Sequence, residues 1–125
     1  MDEVGWYIDN CEDGKEPAKV GYAKPNRAHN IGEKHPNDLG LYDMSGNAPE
    51  WCYDWYGEYS DELQTNPTGG EMPEKKKERY RVIRGGGWYS AEDGCRVTDR
   101  SKGHPEEDTA SFRVVRSVLP RDAAK

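Results

Sequence analysis

Residues 40–56, reading GLYDMSGNAPEWCYDWY, constrain the fold more than any other part of the chain. From Trp51 onward the pattern alternates, placing Trp51, Tyr53 and Trp55 on one expected face and Cys52, Asp54 and Tyr56 on the other. Period-two alternation of aromatics predicts a half-buried strand. Ser45-Gly46-Asn47 before it is turn chemistry, because glycine tolerates positive φ and asparagine bonds its own backbone. Polar loop oxygens are therefore expected beside a rigid aromatic strand, a common setting for a site.

A length of 125 residues predicts one domain. Charged residues make up 34% of it and hydrophobic ones 33%, so aliphatic burial cannot carry the fold alone. The four Trp and eight Tyr must supply much of the buried area. A net charge of −6 argues against a nucleic-acid partner. The one basic run, Lys75-Lys76-Lys77, is bracketed by Glu74 and Glu78 and reads as a solvated loop. No stretch approaches the roughly 20 apolar residues of a membrane helix. No apolar leader opens the chain, so no signal peptide is expected within it, and its compartment stays open, export included.

Cys11, Cys52 and Cys95 lie far apart with no zinc-ligand spacing, and each reads first as a small buried hydrophobe. His29 and His35 sit in turn-rich sequence and read as solvated rather than metal-bound.

Residues 1–38 are expected to be loop-rich, with short strands at Gly5–Ile8 and Lys19–Tyr22. A motif-bearing core follows over 39–116, then a frayed tail over 117–125. Within the core, Asn66–Gly70 is turn sequence, Tyr80–Arg84 a strand, Cys95–Arg100 a strand, Ser101–Asp108 a loop and Ser111–Arg116 a last strand. Gly85-Gly86-Gly87 predicts backbone squeezed against another element, or positive φ. No segment has helical periodicity.

Six segments in order resemble the formylglycine-generating enzyme, or sulfatase-modifying factor, family. Gly40–Trp51 is similar to that family's GLYDM-x-GNVWEW, Asp54–Tyr56 to its DWY and Asn66–Gly69 to its NPxG. Arg81–Trp88 is similar to RVxRGGSW, Cys95–Arg100 to CR…R and Ser111–Arg113 to GFR. Pro49 stands where the family usually has Trp, and Gly87 where it has Ser. The resemblance implies an α+β fold on a C-type-lectin-like scaffold, loop-rich, with short twisted antiparallel strands and little regular secondary structure. It covers the C-terminal half of a usual family domain. A homo-oligomer covering bare apolar surface, or a fragment completing a larger domain, is therefore among the expectations.

The family's oxidase chemistry uses two nearby cysteines that bind copper as thiolates and convert a substrate cysteine to formylglycine. By the resemblance, Ser90 falls at the first of these positions, and no second thiol follows before Cys95. A hydroxyl does not replace a thiolate toward Cu(I), so copper and the oxidase are not expected. The resemblance also implies a calcium site, with side-chain oxygens from Asn47 and Glu50 and the Ser45 carbonyl. It implies a Cys52–Cys95 disulfide as well, with two reduced buried thiols an equal alternative. The leading expectation is a non-catalytic binding module. Its ligand surface would be Tyr89–Gly94, with Tyr89, Ser90, Glu92 and Asp93 at its centre, together with Ser101–Thr109. An acidic surface of this kind suits a basic peptide or protein. The copper-dependent oxidase is the alternative from another class.

Overall fold

The computed structural model describes residues 1–11, 27–65, 67, 69–106 and 110–115. The expected strand at Lys19–Tyr22 and the expected tail at 117–125 lie outside the described residues. Four strands form one open sheet: β1 (Glu50–Trp55), β2 (Arg81–Arg84), β3 (Ser101–Gly103) and β4 (Ser111–Phe112), in the order β3-β2-β1-β4. β1 pairs antiparallel with β2, and β2 with β3, but β4 runs parallel to β1. The sheet is thus mixed, and the all-antiparallel expectation is corrected at β4. The α+β, loop-rich class holds, with two 3₁₀ turns, Lys76–Glu78 and Glu92–Cys95, as the helical elements of the described residues.

The aromatic strand forms where alternation places it, with one departure. Trp51 pairs with Ile83 and Trp55 with Arg81, so the register slips between them. The slip interrupts the alternation: Trp51 and Trp55 are half-buried, while Tyr53 is exposed. Such a bulge re-aims side chains on one strand. The Arg81 guanidinium lies 3.5 Å over the Trp55 ring, covering the indole that the sheet leaves open.

Three other expectations are corrected. Gly5–Ile8 is not a strand, because the Tyr7 carbonyl accepts from the amides of Asn10 and Cys11 and the Asn10 side chain accepts from the Tyr7 amide. Cys95–Arg100 is not a strand either. It closes a 3₁₀ turn and runs into further turns, with the Arg96 amide on the Asp93 carbonyl and the Asp99 amide on the Arg96 carbonyl. Conversely, β3 forms inside the expected Ser101–Asp108 loop. Its Gly103 admits what no other residue would: a Cβ there would stand 2.6 Å from Ile83 Cδ1 and 2.7 Å from Trp51 Cη2.

Glycine performs the same service at the Ser45-Gly46-Asn47 turn. Gly46 has φ of 79°, and a Cβ on it would overlap the Trp6 carbonyl oxygen. The expected squeeze at Gly85–Gly87 is also present. Gly85 and Gly86 have φ of 89° and 66°, and a Cβ on Gly86 would lie 2.8 Å from Cys95 Sγ.

The buried hydrophobic side chains are few among the described residues: Tyr7, Cys11, Val82, Ile83 and Cys95. Near β4, Ile31, Leu41, Tyr42 and Phe112 border an open groove of about 680 Å³. Replacing Gly46 with Ala forces a left-handed φ on a residue with a Cβ and drives that carbon into Trp6 backbone. The expected loss is at least about 2 kcal/mol of unfolding free energy, measured by urea denaturation.

Candidate functional site

Asn47 fixes the frame in which the candidate residues sit. It is buried, at 4% exposure, and holds a left-handed φ of 65°, which asparagine adopts more readily than most residues. Its amide donates to the Trp6 carbonyl and its carbonyl accepts from the Trp88 amide. Its side chain accepts from the His29 amide at 2.8 Å and donates to the His29 carbonyl at 3.2 Å. The His29 ring in turn stacks on Trp6, 3.7 Å between centroids and 9° from parallel.

Glu50, at the start of β1, is held in a fork by Arg113, with Nε on one carboxylate oxygen at 2.9 Å and Nη2 on the other at 2.7 Å. The same Nη2 donates to the Tyr42 carbonyl at 2.9 Å. This fork raises the pKa of the Arg113 guanidinium further, because hydrogen bonding to the carboxylate favours the charged form. The three groups implied as calcium ligands are therefore engaged elsewhere. Asn47 is spent on His29, Glu50 on Arg113, and the Ser45 carbonyl is packed against Gly5. These donors do not form an open oxygen cage and do not fit calcium as arranged.

Of the four residues expected at the centre of a ligand surface, Tyr89 and Ser90 line a groove and Glu92 and Asp93 do not. Tyr89 and Ser90 face Ser101, Lys102 and Gly103 of β3 across a groove of about 430 Å³, floored by Ile83 and Pro49. The groove forms because Gly86 and Gly94 let the 3₁₀ turn approach β2 closely, with a Cβ on Gly86 only 2.6 Å from the Gly94 carbonyl oxygen. Tyr89 is 52% exposed and meets Trp88 edge to face at 5.3 Å. Glu92 and Asp93 stand on the 3₁₀ turn beside the groove rather than in its lining. Glu92 approaches the N-terminal ammonium at 3.9 Å, and Asp93 accepts from the Gly94 amide at 2.9 Å. Of the Ser101–Thr109 loop, 107–109 lie outside the described residues. Asp99 and Lys102 also line the groove; Lys102 falls within the expected Ser101–Thr109 surface, and sequence reasoning missed Asp99. The signal for Asp99 is topological: a third strand at 101–103 turns its neighbour toward the Tyr89 turn.

Ser90 has a structural assignment. Its hydroxyl accepts from the Gly87 amide at 3.0 Å, and its carbonyl accepts from the Ile8 amide at 3.0 Å. Cys52 and Cys95 are free thiols, the second of the two alternatives that the resemblance left open. Cys52 lies on β1, whereas Cys95 ends the second 3₁₀ turn beneath Gly86. Burial is the main cause that pushes both thiols above the usual cysteine range. A neutral, fully buried Cys95 is a poor metal ligand and a poor nucleophile.

The chain has relatives of known description. The family described as "Sulfatase-modifying factor enzyme 1-like domain" matches residues 2–118. The chaperone protein LppX of Paenibacillus barcinonensis is 31% identical over 93% of this chain and 39% of its own length. A serine/threonine-protein kinase pkn1 of Chlamydia pneumoniae is 40% identical over 66% of this chain and 14% of its own. The formylglycine-generating enzyme of Bos taurus is 35% identical over 68% and 23%. The solved structure of Treponema denticola variable protein 1 superposes with a TM-score of 0.62 at 27% identity, covering 88% of this chain and 34% of that one. The chain thus spans well under half the length of each of these relatives.

Three outcomes are expected from the site. Ser90→Ala, which leaves the Gly87 amide without its acceptor, should lower stability by about 1 kcal/mol in a denaturant titration. Cys95 should resist iodoacetamide in the native protein at neutral pH and react once unfolded, read by mass spectrometry of the alkylated peptide. Because its folded pKa is raised, ionisation of the unfolded thiol competes only at high pH. Stability should therefore fall as pH rises above the ordinary thiol value, and not below it.

Proposed function

The chain belongs to the sulfatase-modifying factor family, and on that premise we propose that it is a non-catalytic binding module. The observation that carries this reading is the state of Ser90. Where the family resemblance puts the first copper thiolate, a serine hydroxyl serves as the acceptor of a tight turn. The nearest thiol in sequence, Cys95, is buried beneath Gly86. A pair of converging soft ligands is what Cu(I) requires, and this turn offers none.

The groove between Tyr89 and β3 is the binding surface in this reading. An exposed tyrosine supplies a rigid, amphipathic contact, the usual core of a small recognition patch. Glu92, Asp93 and Asp99 surround it, and the whole chain carries −6, so the complementary ligand is a basic peptide or a cationic protein surface. A relative named as a chaperone protein, matched over nearly the whole of this chain, agrees with a polypeptide partner. The larger groove beside β4 is the weaker candidate, because its polar groups, Asn47, Glu50 and Arg113, are already committed to protein partners.

A second reading has its own support. The chain matches only 14% to 39% of the length of the pkn1 and LppX relatives, which favours a unit that completes a larger assembly. In that reading the same groove would face the rest of the assembly.

The test has two arms. The copper-treated protein, incubated with a sulfatase-type cysteine peptide, is expected to give no aldehyde product by mass spectrometry. Turnover would overturn the non-catalytic reading. A lysine- and arginine-rich peptide, titrated against intrinsic tryptophan fluorescence, should bind saturably and weaken as salt rises. The Glu92→Gln/Asp93→Asn double variant should bind it several-fold more weakly. An absence of saturable binding would remove the groove from consideration.

A further inference from the structure

The sheet carries a second concavity on its other face. Along β2, Ile83 points into the Tyr89 groove, so Val82 and Arg84 point away from it. There Arg84, Arg100, Tyr59, Asp54 and Glu58 line a pocket of about 300 Å³. We propose that this pocket binds a small zwitterion, a free amino acid by class, with its carboxylate on the arginines and its ammonium on the acids.

Both guanidinium groups are fixed in place by neutral acceptors. Arg84 Nη1 donates to the carbonyls of Val97 and Asp99, at 3.2 and 2.8 Å, and its Nη2 donates to the Tyr59 hydroxyl oxygen at 2.7 Å. Arg100 Nη2 donates to the Gly57 carbonyl at 2.6 Å, and its guanidinium lies 4.3 Å over Tyr56 and 4.5 Å over Tyr59. Each arginine has five N–H donors, so several stay unused. Because Tyr59 accepts from Arg84, its own hydroxyl proton is free to donate. Two cations and a phenol therefore border one pocket with donors to spare, and a carboxylate is the group that such donors receive.

The acids complete the pattern. Asp54 and Glu58 line the same pocket, yet neither forms an ion pair or hydrogen bond with the arginines or with any other described residue. Close packing of Gly69 against Asp54 holds its stem, with a Cβ there only 2.9 Å from Asp54 Cα. Two positioned cations and two anions share one concavity without neutralising one another. A ligand carrying both charges satisfies them together, whereas a simple anion would meet the acids and a simple amine the arginines. The volume sits at the lower end of small-molecule pockets, roughly 300 to 1,000 Å³.

The experiment uses the full chain and three probes, glycine, acetate and methylammonium, followed by ligand-observed NMR. Glycine is expected to bind saturably, and acetate and methylammonium each about tenfold more weakly. Glu58 is exposed and uncommitted, so Glu58→Gln leaves the fold intact and should weaken glycine several-fold while strengthening acetate, which no longer meets that carboxylate. Tyr59→Phe keeps the ring beneath Arg100 but removes the hydroxyl, and should weaken glycine and acetate alike, by about tenfold. Equal affinity for glycine and acetate would overturn the proposal, as would no saturable binding of any probe. Indifference of glycine to Glu58→Gln would do the same. Basic-peptide binding at the Tyr89 groove should be unchanged in Glu58→Gln, so the two readings fail separately.

Discussion

Asn47 joins four stretches of chain that have little hydrophobic core in common. Its backbone bonds the Trp6 and Trp88 segments, its side chain clamps both backbone groups of His29, and β1 begins three residues later. Each of these partners is a main-chain group that must be satisfied once water is excluded. An amide has the right inventory, one acceptor and two donors on a short stem. The left-handed backbone at this position aims that stem inward, and Gly46 before it lets Trp6 come within reach. The Trp6–His29 stack and the placement of the Tyr89 turn follow from this junction.

Arg113 plays a comparable part at the sheet edge. It gathers the Glu50 carboxylate and the Tyr42 and Asp43 carbonyls around one guanidinium. A ring of oxygens converging on a cation is the environment that sequence reasoning anticipated nearby. The cation supplied is the side chain of the residue just past β4, and it ties the last strand to the turn that precedes the first.

Those parts of the fold that rest on strong local chemistry were legible from residues alone. The alternating aromatics of 51–55, the Tyr80–Arg84 strand, the glycine run before Trp88 and the Ser45–Asn47 turn each have a short-range physical signal. What escaped depends on long-range fit. Ser101–Gly103 has no strand pattern of its own, and becomes β3 because Gly103 leaves room for Trp51 and Ile83. The exposure of Tyr53 comes from a register slip that only the pairing with β2 reveals. The two loops of the candidate groove, Lys102 included, were anticipated as one surface, but Asp99 was not. Its position depends on β3 being a strand. The Cys52–Cys95 pairing came from family resemblance with two reduced thiols as an equal alternative, and free thiols are what the structure carries at both positions.

The small set of buried side chains has a thermodynamic consequence. Tyr7, Cys11, Val82, Ile83 and Cys95 are the buried hydrophobic residues among those described, while many large apolar side chains, including Ile31, Leu63 and Val115, already face water in the folded state. Unfolding such a molecule uncovers little new apolar surface, so its heat-capacity change is small for its length. The stability curve is then shallow and broad, changing little with temperature on either side of its maximum. A fold held by backbone bonds and close glycine contacts trades a high stability maximum for indifference to moderate cooling and warming.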